Sequence, residues 1–478
     1  MTAGARVTLP VADDMAMHQD LIFDLELIRR YDVQGPRYTS YPTAVQFTDE
    51  FGAEAYQRWA THTNTLDKGR PLSLYFHLPF CAKVCFYCAC NKIITANRKR
   101  AAPYLEHLYR EIKMQGALFD HGRPVEQLHW GGGTPTFISH AQMRQLMQVT
   151  ADHFQLLGDD SGEYSIEVDP READAETVAV LRDLGFNRLS LGVQDFNPGV
   201  QEAVNRIQSE AETLVVIEAA REAGFKSISI DLIYGLPLQT AASFIETLDK
   251  VIALRPDRLS VFNYAHLPEM FKTQRQINVA QLPAPDEKLR ILEMSIEHLR
   301  SAGYVYIGMD HFALPDDELA RAQREGSLYR NFQGYSTHAD CDLVAMGITA
   351  ISKVGDTYSQ NFKDIETYFA RLEAGEWPIL RGFELSADDR LRRDVITRLI
   401  CDFEVDCKAL EQAHTIDFDE YFAEELRELE VLQKDDLVSL QPSFIKVQPA
   451  GRLLIRNICM VFDRYLRGKS GQRFSKVI

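Results

Sequence analysis

The sequence predicts an α/β protein: a partial, open (β/α)6-type TIM barrel with a small, mostly helical C-terminal domain and an N-terminal arm. Two observations support this prediction. From about residue 70, short apolar runs rich in β-branched or aromatic residues alternate with longer segments of helical periodicity. A strand followed by a helix, six times over, is typical of a parallel sheet with helices on its outer face.

The predicted strands are short and regularly spaced. Glycines mark the helix ends between them, since Gly185, Gly224 and Gly303 each follow a helical segment just before the next strand. Six units are fewer than the eight of a closed barrel, which favours an open barrel, and a doubly wound sheet is the alternative. The strands are predicted at 72–78, 125–130, 164–168, 188–193, 227–235 and 258–265, with a further candidate at 304–309.

Three regions are predicted: an N-terminal arm at 1–50, the barrel at 51–375, and a C-terminal domain at 376–478, where polar helical segments replace the alternation. The first twenty residues lack the basic start and apolar core of a signal peptide. No apolar run approaches the roughly 18 residues that a membrane span needs. We therefore expect a cytoplasmic protein without a membrane span.

The formal net charge of −17 argues against broad nucleic-acid binding, because phosphates require a basic surface. A local exception lies in the predicted arm, where Arg29, Arg30 and Arg37 are interleaved with tyrosines and prolines. A stiff, aromatic and cationic segment of this kind suits a position over a large anionic ring. An ordered arm that simply packs on the barrel explains the same residues equally well.

Four of the eight cysteines, Cys81, Cys85, Cys88 and Cys90, lie within ten residues directly after the first predicted strand. This clustering indicates metal or redox chemistry instead of a disulfide scaffold. The C-x3-C-x2-C spacing of the first three suits a [4Fe–4S] cluster, which normally takes four cysteines, so one iron stays open if Cys90 does not bind. Zinc bound by all four thiolates is the alternative, but the two separated C-x2-C pairs typical of zinc are missing.

Unusual residues follow every predicted strand at its carboxyl end, where barrels and doubly wound sheets bind ligands. Any one of them alone would be explained as a common turn or a buried acid. Together they predict one site on one rim. After the cysteine loop they are the run 131–134, Glu167 with Asp169, Gln194 with Asp195, Gly235 with Pro237, and Ala265 with His266.

The segment "HADCD", residues 338–342, also carries metal-ligating side chains. No second ligand group at metal spacing accompanies it in the sequence, so no metal site is predicted there.

Cys81, Cys85 and Cys88, with the aromatic Tyr87 before the last, resemble the signature of the radical S-adenosylmethionine (SAM) superfamily. The resemblance implies the radical SAM fold, a partial barrel in which SAM chelates the open iron. In this order, "RYDVQGPRYTSYPTA", "YFHLPFC", "LHWGGGTPTF", "SIEVDP", "RLSLGVQDF", "SIDLIYGLP" and "RNFQGY" resemble the oxygen-independent coproporphyrinogen III oxidase family of bacterial haem synthesis. The resemblance covers most of the chain, from about residue 28.

The resemblance implies an enzyme that oxidatively decarboxylates two propionates of coproporphyrinogen III to vinyl groups, giving protoporphyrinogen IX. It implies a [4Fe–4S] cluster on Cys81, Cys85 and Cys88 and two SAM molecules, with no catalytic residue beyond these cofactors. Glycines let backbone groups approach a ligand, and a carboxylate such as Glu167 accepts from hydroxyl or amino groups. The matching positions are Tyr75, Gly132, Glu167 and Ile351 for the cluster-bound SAM, and Tyr87, Gly133, Thr134, Gln194, Arg206, Asp231 and Ala265 for the second.

Four propionates require cationic partners, which gives Arg29, Arg30 and Arg37 a predicted role in substrate binding. An electron donor such as flavodoxin or ferredoxin is required, and a monomer is expected, although the sequence itself says little about oligomeric state. A radical SAM haem chaperone and a haem-degrading radical SAM methyltransferase are the related alternatives. Cys90 and the arm "RYDVQGPRYTSYPTA" favour the oxidase over the chaperone.

Overall fold

The structure, a computed structural model, describes residues 21–66, 70–339 and 341–467. The first twenty residues of the predicted arm therefore lie outside the described residues. Within the described ranges, no helix combines the length and the apolar character needed to cross a bilayer.

The strands and helices follow one another along the chain much as the sequence predicts. In chain order the strands are β1 (Leu72–Leu78), β2 (Phe80–Cys81), β3 (Ile93–Ile94), β4 (Pro124–Gly132), β5 (Gln155–Leu156), β6 (Glu163–Val168), β7 (Arg188–Gln194), β8 (Ser227–Tyr234), β9 (Arg258–Asn263), β10 (Val305–Gly308), β11 (His311–Ala313), β12 (Tyr329–Asn331), β13 (Gly334–Ser336), β14 (Asp342–Met346), β15 (Ile351–Val354), β16 (Thr357–Asn361), β17 (Ile379–Glu384), β18 (Glu404–Asp406), β19 (Val438–Gln441) and β20 (Phe444–Val447). The helices are α1 (Leu25–Tyr31), α2 (Ala53–Leu66), α3 (Ala101–Leu118), α4 (His140–His153), α5 (Ala175–Asp183), α6 (Pro198–Ala203), α7 (Glu210–Glu222), α8 (Ala241–Leu254), α9 (Pro285–Ser301), α10 (Glu318–Glu325), α11 (Ile365–Glu373), α12 (Ala387–Asp402), α13 (Cys407–His414), α14 (Phe418–Tyr421), α15 (Ala423–Lys434) and α16 (Ile455–Val461).

The six predicted barrel strands form one parallel sheet in the order β1, β4, β6, β7, β8, β9. This order follows the chain without the reversal that defines a doubly wound sheet, so the open barrel is confirmed. Beyond β9 the sheet continues through β11, which pairs antiparallel with β9, to β10, which pairs antiparallel with β11. The candidate strand at 304–309 therefore ends the barrel as part of a hairpin and does not pair directly with β9.

The other edge of the barrel contains a strand that the sequence analysis did not predict. β14 pairs in parallel with β1, and β15 to β17 extend the sheet from it as antiparallel strands. Every residue of β14 is buried. Its five residues are not preceded by a helix in the regular rhythm of the barrel, which is why the alternation did not reveal it.

Local sequence signals fix the helix ends of the barrel. Gly185, Gly224 and Gly303 adopt φ values of +94°, +76° and +91°, which confirms their predicted role as helix terminators. The helix starts carry a different local signal. Ser209 and Glu212, for example, form a reciprocal capping box at the start of α7. These ends set where each strand begins and therefore where its carboxyl end meets the rim.

The C-terminal region combines α12 to α16 with a small antiparallel sheet of order β18, β20, β19. The described part of the arm packs against it. Arg456 of α16 donates through Nε to the carbonyl of Pro36 at 2.9 Å, and the Tyr38 hydroxyl donates to Asp463 at 3.0 Å. The arm is therefore an ordered segment that the C-terminal region holds beside the barrel.

Candidate functional site

The cysteine loop begins where β1 ends and is fixed by its own backbone. β2 pairs in parallel with β3, and the amide of Cys88 donates to the carbonyl of Cys85 at 3.3 Å. Cys85 is buried, Cys81 and Cys88 are half-buried, and Cys90 is exposed. Three thiols are thus held on one short loop, with the fourth at its outer end.

Hydrogen-bond donors surround these thiols. The Thr134 hydroxyl lies 3.6 Å from Cys81 Sγ, and guanidinium nitrogens of Arg206 and Arg171 lie 3.5 and 3.7 Å from Cys85 Sγ. Iron–sulfur clusters are bound by cysteine thiolates, and hydrogen-bond donors beside the sulfurs tune the electron density of those thiolates. The residues present therefore fit a [4Fe–4S] cluster with three protein ligands.

The thiol pKa values of Cys88 and Cys90 are shifted in opposite directions. The hydrogen bond between their thiols lowers the pKa of Cys88, aided by Lys92, and raises the pKa of Cys90. Metals bind the thiolate, and a lowered pKa favours that form of Cys88. The exclusion of Cys90 from the ligand set stays a prediction from the sequence.

The glycine run after β4 is required by close packing on β1. Gly132 adopts φ +113°, and a Cβ there would lie 2.6 Å from the ring of His77. A Cβ on Gly133 would lie 2.6 Å from the backbone of Pro79, and the Gly133 amide donates to the carbonyl of Leu78 at 2.9 Å. A side chain at Gly133 would have to displace backbone, and one at Gly132 would have to displace the His77 ring and adopt an unfavourable positive φ.

The four residues predicted for the cluster-bound SAM come together around one cavity of about 330 Å³. Glu167 accepts from the amide of Gly132 at 3.0 Å and lies 3.5 Å from His129. Burial raises the pKa of Glu167, but these bonds outweigh that effect and hold the pKa below its ordinary value. The carboxylate is therefore ionised at neutral pH. The predicted residues on the lining are Tyr75, Gly132, Glu167 and Ile351.

Other residues on this cavity were not predicted from the sequence. His77 is held by the Tyr75 hydroxyl and by the carbonyl of Asn91, both at 3.1 Å, and burial lowers its pKa. Gln333 also lines the cavity, and its Nε2 is buried without a hydrogen-bond partner among the described residues. Its place in "RNFQGY" was the available signal.

Two residues predicted for a second SAM lie directly beside the cysteine loop, Arg206 next to Cys85 and Thr134 next to Cys81. Arg206 forms an ion pair with Asp169 at 3.0 Å and donates to the carbonyl of Gly192, while its buried Nε has no partner among the described residues. Gln194, at φ +70°, has its amide beside the same glycine, since a Cβ on Gly192 would lie 2.8 Å from Gln194 Nε2. A buried, unpaired guanidinium N–H is a fitting partner for a ligand carboxylate.

Gln274 connects two further residues predicted for the second SAM, Tyr87 and Ala265. Its amide donates to the carbonyls of Tyr87 at 3.0 Å and Ala265 at 3.2 Å, which joins the cysteine loop to the end of β9. Thr134 contacts Cys81, as described above. Asp231 lies deeper, in a cavity of about 300 Å³ inside the barrel that Glu167 also lines, so this cavity connects the two groups.

Burial inside the barrel raises the pKa of Asp231 from 3.8 to about 6, although Ser190 donates to it at 3.0 Å. Above pH 6 the ionised side chain opposes folding; as pH falls through 6 toward 4 this opposition disappears. Asp231→Asn is therefore expected to raise the free energy of unfolding at pH 8 by about 1–3 kcal/mol, with a gain that shrinks in acid. Urea unfolding at several pH values measures this, and an equal gain at every pH would contradict it.

The three arginines of the arm lie in different places. Arg37 lines a cavity at the mouth of the barrel with Arg456, Tyr234 and Asn263, where β8 and β9 end. Arg29 and Arg30 are not on this lining.

Arg29 and Arg30 are exposed on α1 and form ion pairs at 2.7 Å with Asp286 and Asp435. Arg456 was not predicted from the sequence, because it stands as a single arginine in the apolar run "LLIRNI" and gives no local signal.

Comparison with known protein families defines the class. Residues 75–251 match the family model described as the Radical SAM superfamily, and residues 385–454 match the HemN C-terminal domain. With a cysteine loop at the end of the first strand of an open parallel barrel, the chain is a radical SAM protein.

Relatives named oxygen-independent coproporphyrinogen III oxidase align over nearly the whole chain. The one from Pseudomonas aeruginosa is 56% identical over 95% of this chain and 99% of its own, and the one from Synechocystis sp. is 46% identical over 95% and 98%. The solved structure of coproporphyrinogen III oxidase (HemN) from Escherichia coli, described as a radical SAM enzyme, superposes with a TM-score of 0.89 at 51% identity, covering 94% of this chain and 100% of that one. The chain belongs to the oxygen-independent coproporphyrinogen III oxidase family.

Proposed function

We propose that this chain oxidatively decarboxylates two propionate side chains of coproporphyrinogen III to vinyl groups, giving protoporphyrinogen IX in anaerobic haem biosynthesis. The observation that carries the proposal is the loop of Cys81, Cys85 and Cys88, which opens beside the cavity of Glu167 and Gly132 in a chain of this family. When bound, a reduced [4Fe–4S] cluster and SAM supply the radical chemistry that removes hydrogen from a propionate β-carbon. The protein supplies position, charge and exclusion of water.

The three thiolates would hold the cluster, and the donors around Cys81 and Cys85 would stabilise their negative charge. Glu167, kept ionised by its hydrogen bonds, would accept from the amino group or ribose hydroxyls of the cluster-bound SAM, beside Tyr75, Gly132 and Ile351. The glycine turn removes side chains from the path of the ligand. These roles rest on the placement of the residues around one cavity.

For the second SAM, the proposed ligands are Tyr87, Gly133, Thr134, Gln194, Arg206, Asp231 and Ala265. Arg206 would direct its unpaired Nε–H at a carboxylate, because leaving a buried donor unpaired costs about 1–3 kcal/mol. Asp231, whose pKa is about 6, would accept hydrogen bonds mainly as a carboxylate at neutral pH.

The decisive experiment uses the anaerobically purified chain with iron and sulfide reconstituted. After reduction, SAM and coproporphyrinogen III are added, and methionine, 5′-deoxyadenosine and vinyl products are followed together. Conversion to protoporphyrinogen supports the proposal. SAM cleavage without decarboxylation, together with firm haem binding, would favour the chaperone, and methyl transfer to haem would favour the methyltransferase.

Substrate carboxylates are proposed to bind at the mouth of the barrel, where Arg37 and Arg456 line one cavity. Arg37→Ala is expected to raise the KM for coproporphyrinogen about tenfold, because it removes a charge-assisted hydrogen bond, and to leave substrate-free SAM cleavage unchanged. Arg29→Ala is the matched control, since Arg29 pairs with Asp286 and is not on this lining, whereas Arg37 lies on the lining, 3.8 Å from Asp310.

Arg29 and Arg30 were predicted to bind substrate as well, and that role requires their ion pairs to open. Equal rises in KM for Arg29→Ala, Arg30→Ala and Arg37→Ala would show that the whole arm binds substrate. An unchanged KM for Arg37→Ala would remove the mouth cavity from the proposal.

A small acidic redox protein of the flavodoxin or ferredoxin type is proposed as the electron donor. Residues 71–105 contain five Lys or Arg and no Asp or Glu, although the chain carries a net charge of −17. Lys83 in the cysteine loop is exposed, and so is Lys272, whose neighbour Thr273 donates to the carbonyl of Cys88 at 3.1 Å. A basic rim around a cluster steers acidic partners to it.

Reversal of this charge is expected to slow reduction of the cluster by flavodoxin. Lys83→Glu with Lys272→Glu should lower the rate about tenfold at low ionic strength, with a smaller difference at high salt, because screening weakens the steering. Reduction by dithionite should be unchanged. Stopped-flow absorbance measures both, with Lys434→Glu on the C-terminal α15 as control; a uniform loss for both reductants would point to a damaged cluster instead.

The division into an arm at 1–50, a barrel at 51–375 and a C-terminal domain at 376–478 is part of the same proposal. The arm would complete the substrate site, and the C-terminal domain would hold it there. A cytoplasmic location and a monomeric state remain predictions from the sequence.

A further inference from the structure

Three metal-ligating side chains meet on the side of the barrel opposite the cysteine loop. Glu126 stands near the amino end of β4, and His338 and Cys341 belong to the segment that leads into β14. One ligand atom of each, a carboxylate oxygen, an imidazole nitrogen and a thiol sulfur, lies within 4.8 Å of the others. Across the residues that the structure describes, no other three such side chains meet this criterion.

The imidazole of His338 lies between two carboxylates. Its Nδ1 lies 3.3 Å from Glu126, and its Nε2 lies 3.7 Å from Oε2 of Glu163. Glu163 is itself fixed, because Gln127 donates to it at 3.1 Å. A histidine that binds metal through one nitrogen typically directs its other N–H at a carboxylate, and Glu163 occupies that position.

We propose that Glu126, His338 and Cys341 bind a zinc-class divalent cation. Thiolate, imidazole and carboxylate together are a donor set that Zn²⁺ accepts, whereas Mg²⁺ and Ca²⁺ prefer oxygen alone. Tetrahedral zinc with ligands at about 2.0–2.3 Å brings donor atoms to about 3.3–3.8 Å of one another, so the three side chains close by about 1 Å, and water takes the fourth position.

The surroundings are compatible with a cation. Asp342, the neighbour of Cys341, pairs with Arg123 and Arg70 at 2.6 and 3.5 Å and offsets one of their two positive charges, while Glu126 and Glu163 place two carboxylates beside His338. The site would connect β4 to the segment before β14, across β1, at the amino ends of the strands. In barrels of this kind that end contributes stability instead of chemistry, so the metal is expected to be structural.

The test uses the anaerobic holoenzyme with its cluster loaded, so that Cys81, Cys85 and Cys88 are occupied. After dialysis against Co²⁺ and removal of unbound metal, cobalt is counted per chain and the thiolate-to-cobalt absorption is recorded. We expect about one Co²⁺ per chain with this absorption, displaced by Zn²⁺. Cys341→Ser should abolish the absorption, and His338→Gln should weaken binding at least about tenfold.

Cys407→Ser, which removes a buried cysteine of the C-terminal region, is the matched control and should keep both signals. The visible absorption of the iron–sulfur cluster reports whether each variant is folded. If a variant fails to fold, Glu126→Gln at the half-exposed position gives the same comparison. The absence of cobalt in the wild-type holoenzyme, or absorption that persists in both Cys341→Ser and His338→Gln, would overturn the proposal.

Discussion

Serine at Cys81, Cys85 or Cys88 is expected to abolish the iron–sulfur absorption, SAM cleavage and decarboxylation together, whereas serine at Cys90 is expected to leave all three in place. The first three thiols lie on a loop fixed by β2 and β3, and donors from Thr134, Arg171 and Arg206 lie beside two of them. Serine cannot replace a thiolate ligand of iron, so each loss should be complete.

Cys90 is the internal control because it shares the loop without facing the same donors. The hydrogen bond between the two thiols raises the pKa of Cys90 and lowers that of Cys88. Iron content, visible absorption and 5′-deoxyadenosine release are measured for all four variants. A cluster that survives in Cys88→Ser but is lost in Cys90→Ser would show that the ligand assignment is wrong.

Glu167→Gln is expected to weaken SAM binding by about 10- to 100-fold and to lower decarboxylation at least as far. The glutamine keeps the shape and one acceptor but loses the charge that the Gly132 amide and His129 stabilise, and hydrogen bonds to a charged group contribute about 1.5–3 kcal/mol. The cluster absorption should be unchanged because Glu167 is not a proposed ligand of iron.

Glu172→Gln serves as the comparison, since Glu172 follows the same strand but forms an ion pair with Arg98. Equilibrium binding of SAM to the reduced holoenzyme, followed by the change in its electron paramagnetic resonance spectrum, separates binding from turnover. Full SAM affinity in Glu167→Gln with low turnover would mean that the carboxylate acts after SAM has bound. Equal losses in both variants would indicate a general disturbance of the β6 end.

Much of the barrel could be predicted because its strands and helices follow from the periodicity and end signals of short sequence segments. β1 begins and ends at the predicted residues, and the positive φ angles of Gly185, Gly224 and Gly303 follow from their sequence position after helices. β14 could not be found in this way, since its pairing with β1 joins residues about 270 apart and leaves no local periodicity.

The same distinction applies to the site. Residues at strand ends were predictable because one rule, that ligands bind at the carboxyl ends, brings them together. Arg456 was not, because its contact with Pro36 joins the two ends of the chain. For Arg29 and Arg30, composition alone could not reveal the acids Asp286 and Asp435 that pair with them.

The hydrogen bond from Arg456 to the arm affects the order in which the parts of a newly synthesised chain can reach their folded positions. The arm precedes the barrel in the chain and is synthesised before it, whereas α16, the helix that holds the arm, is synthesised after the barrel. The barrel strands and the cysteine loop lie between them and are complete earlier. A nascent or truncated chain would therefore be able to fold its cofactor rim before α16 fixes the arm, and the proposed substrate cavity lined by Arg37 and Arg456 would be completed only after α16 is made.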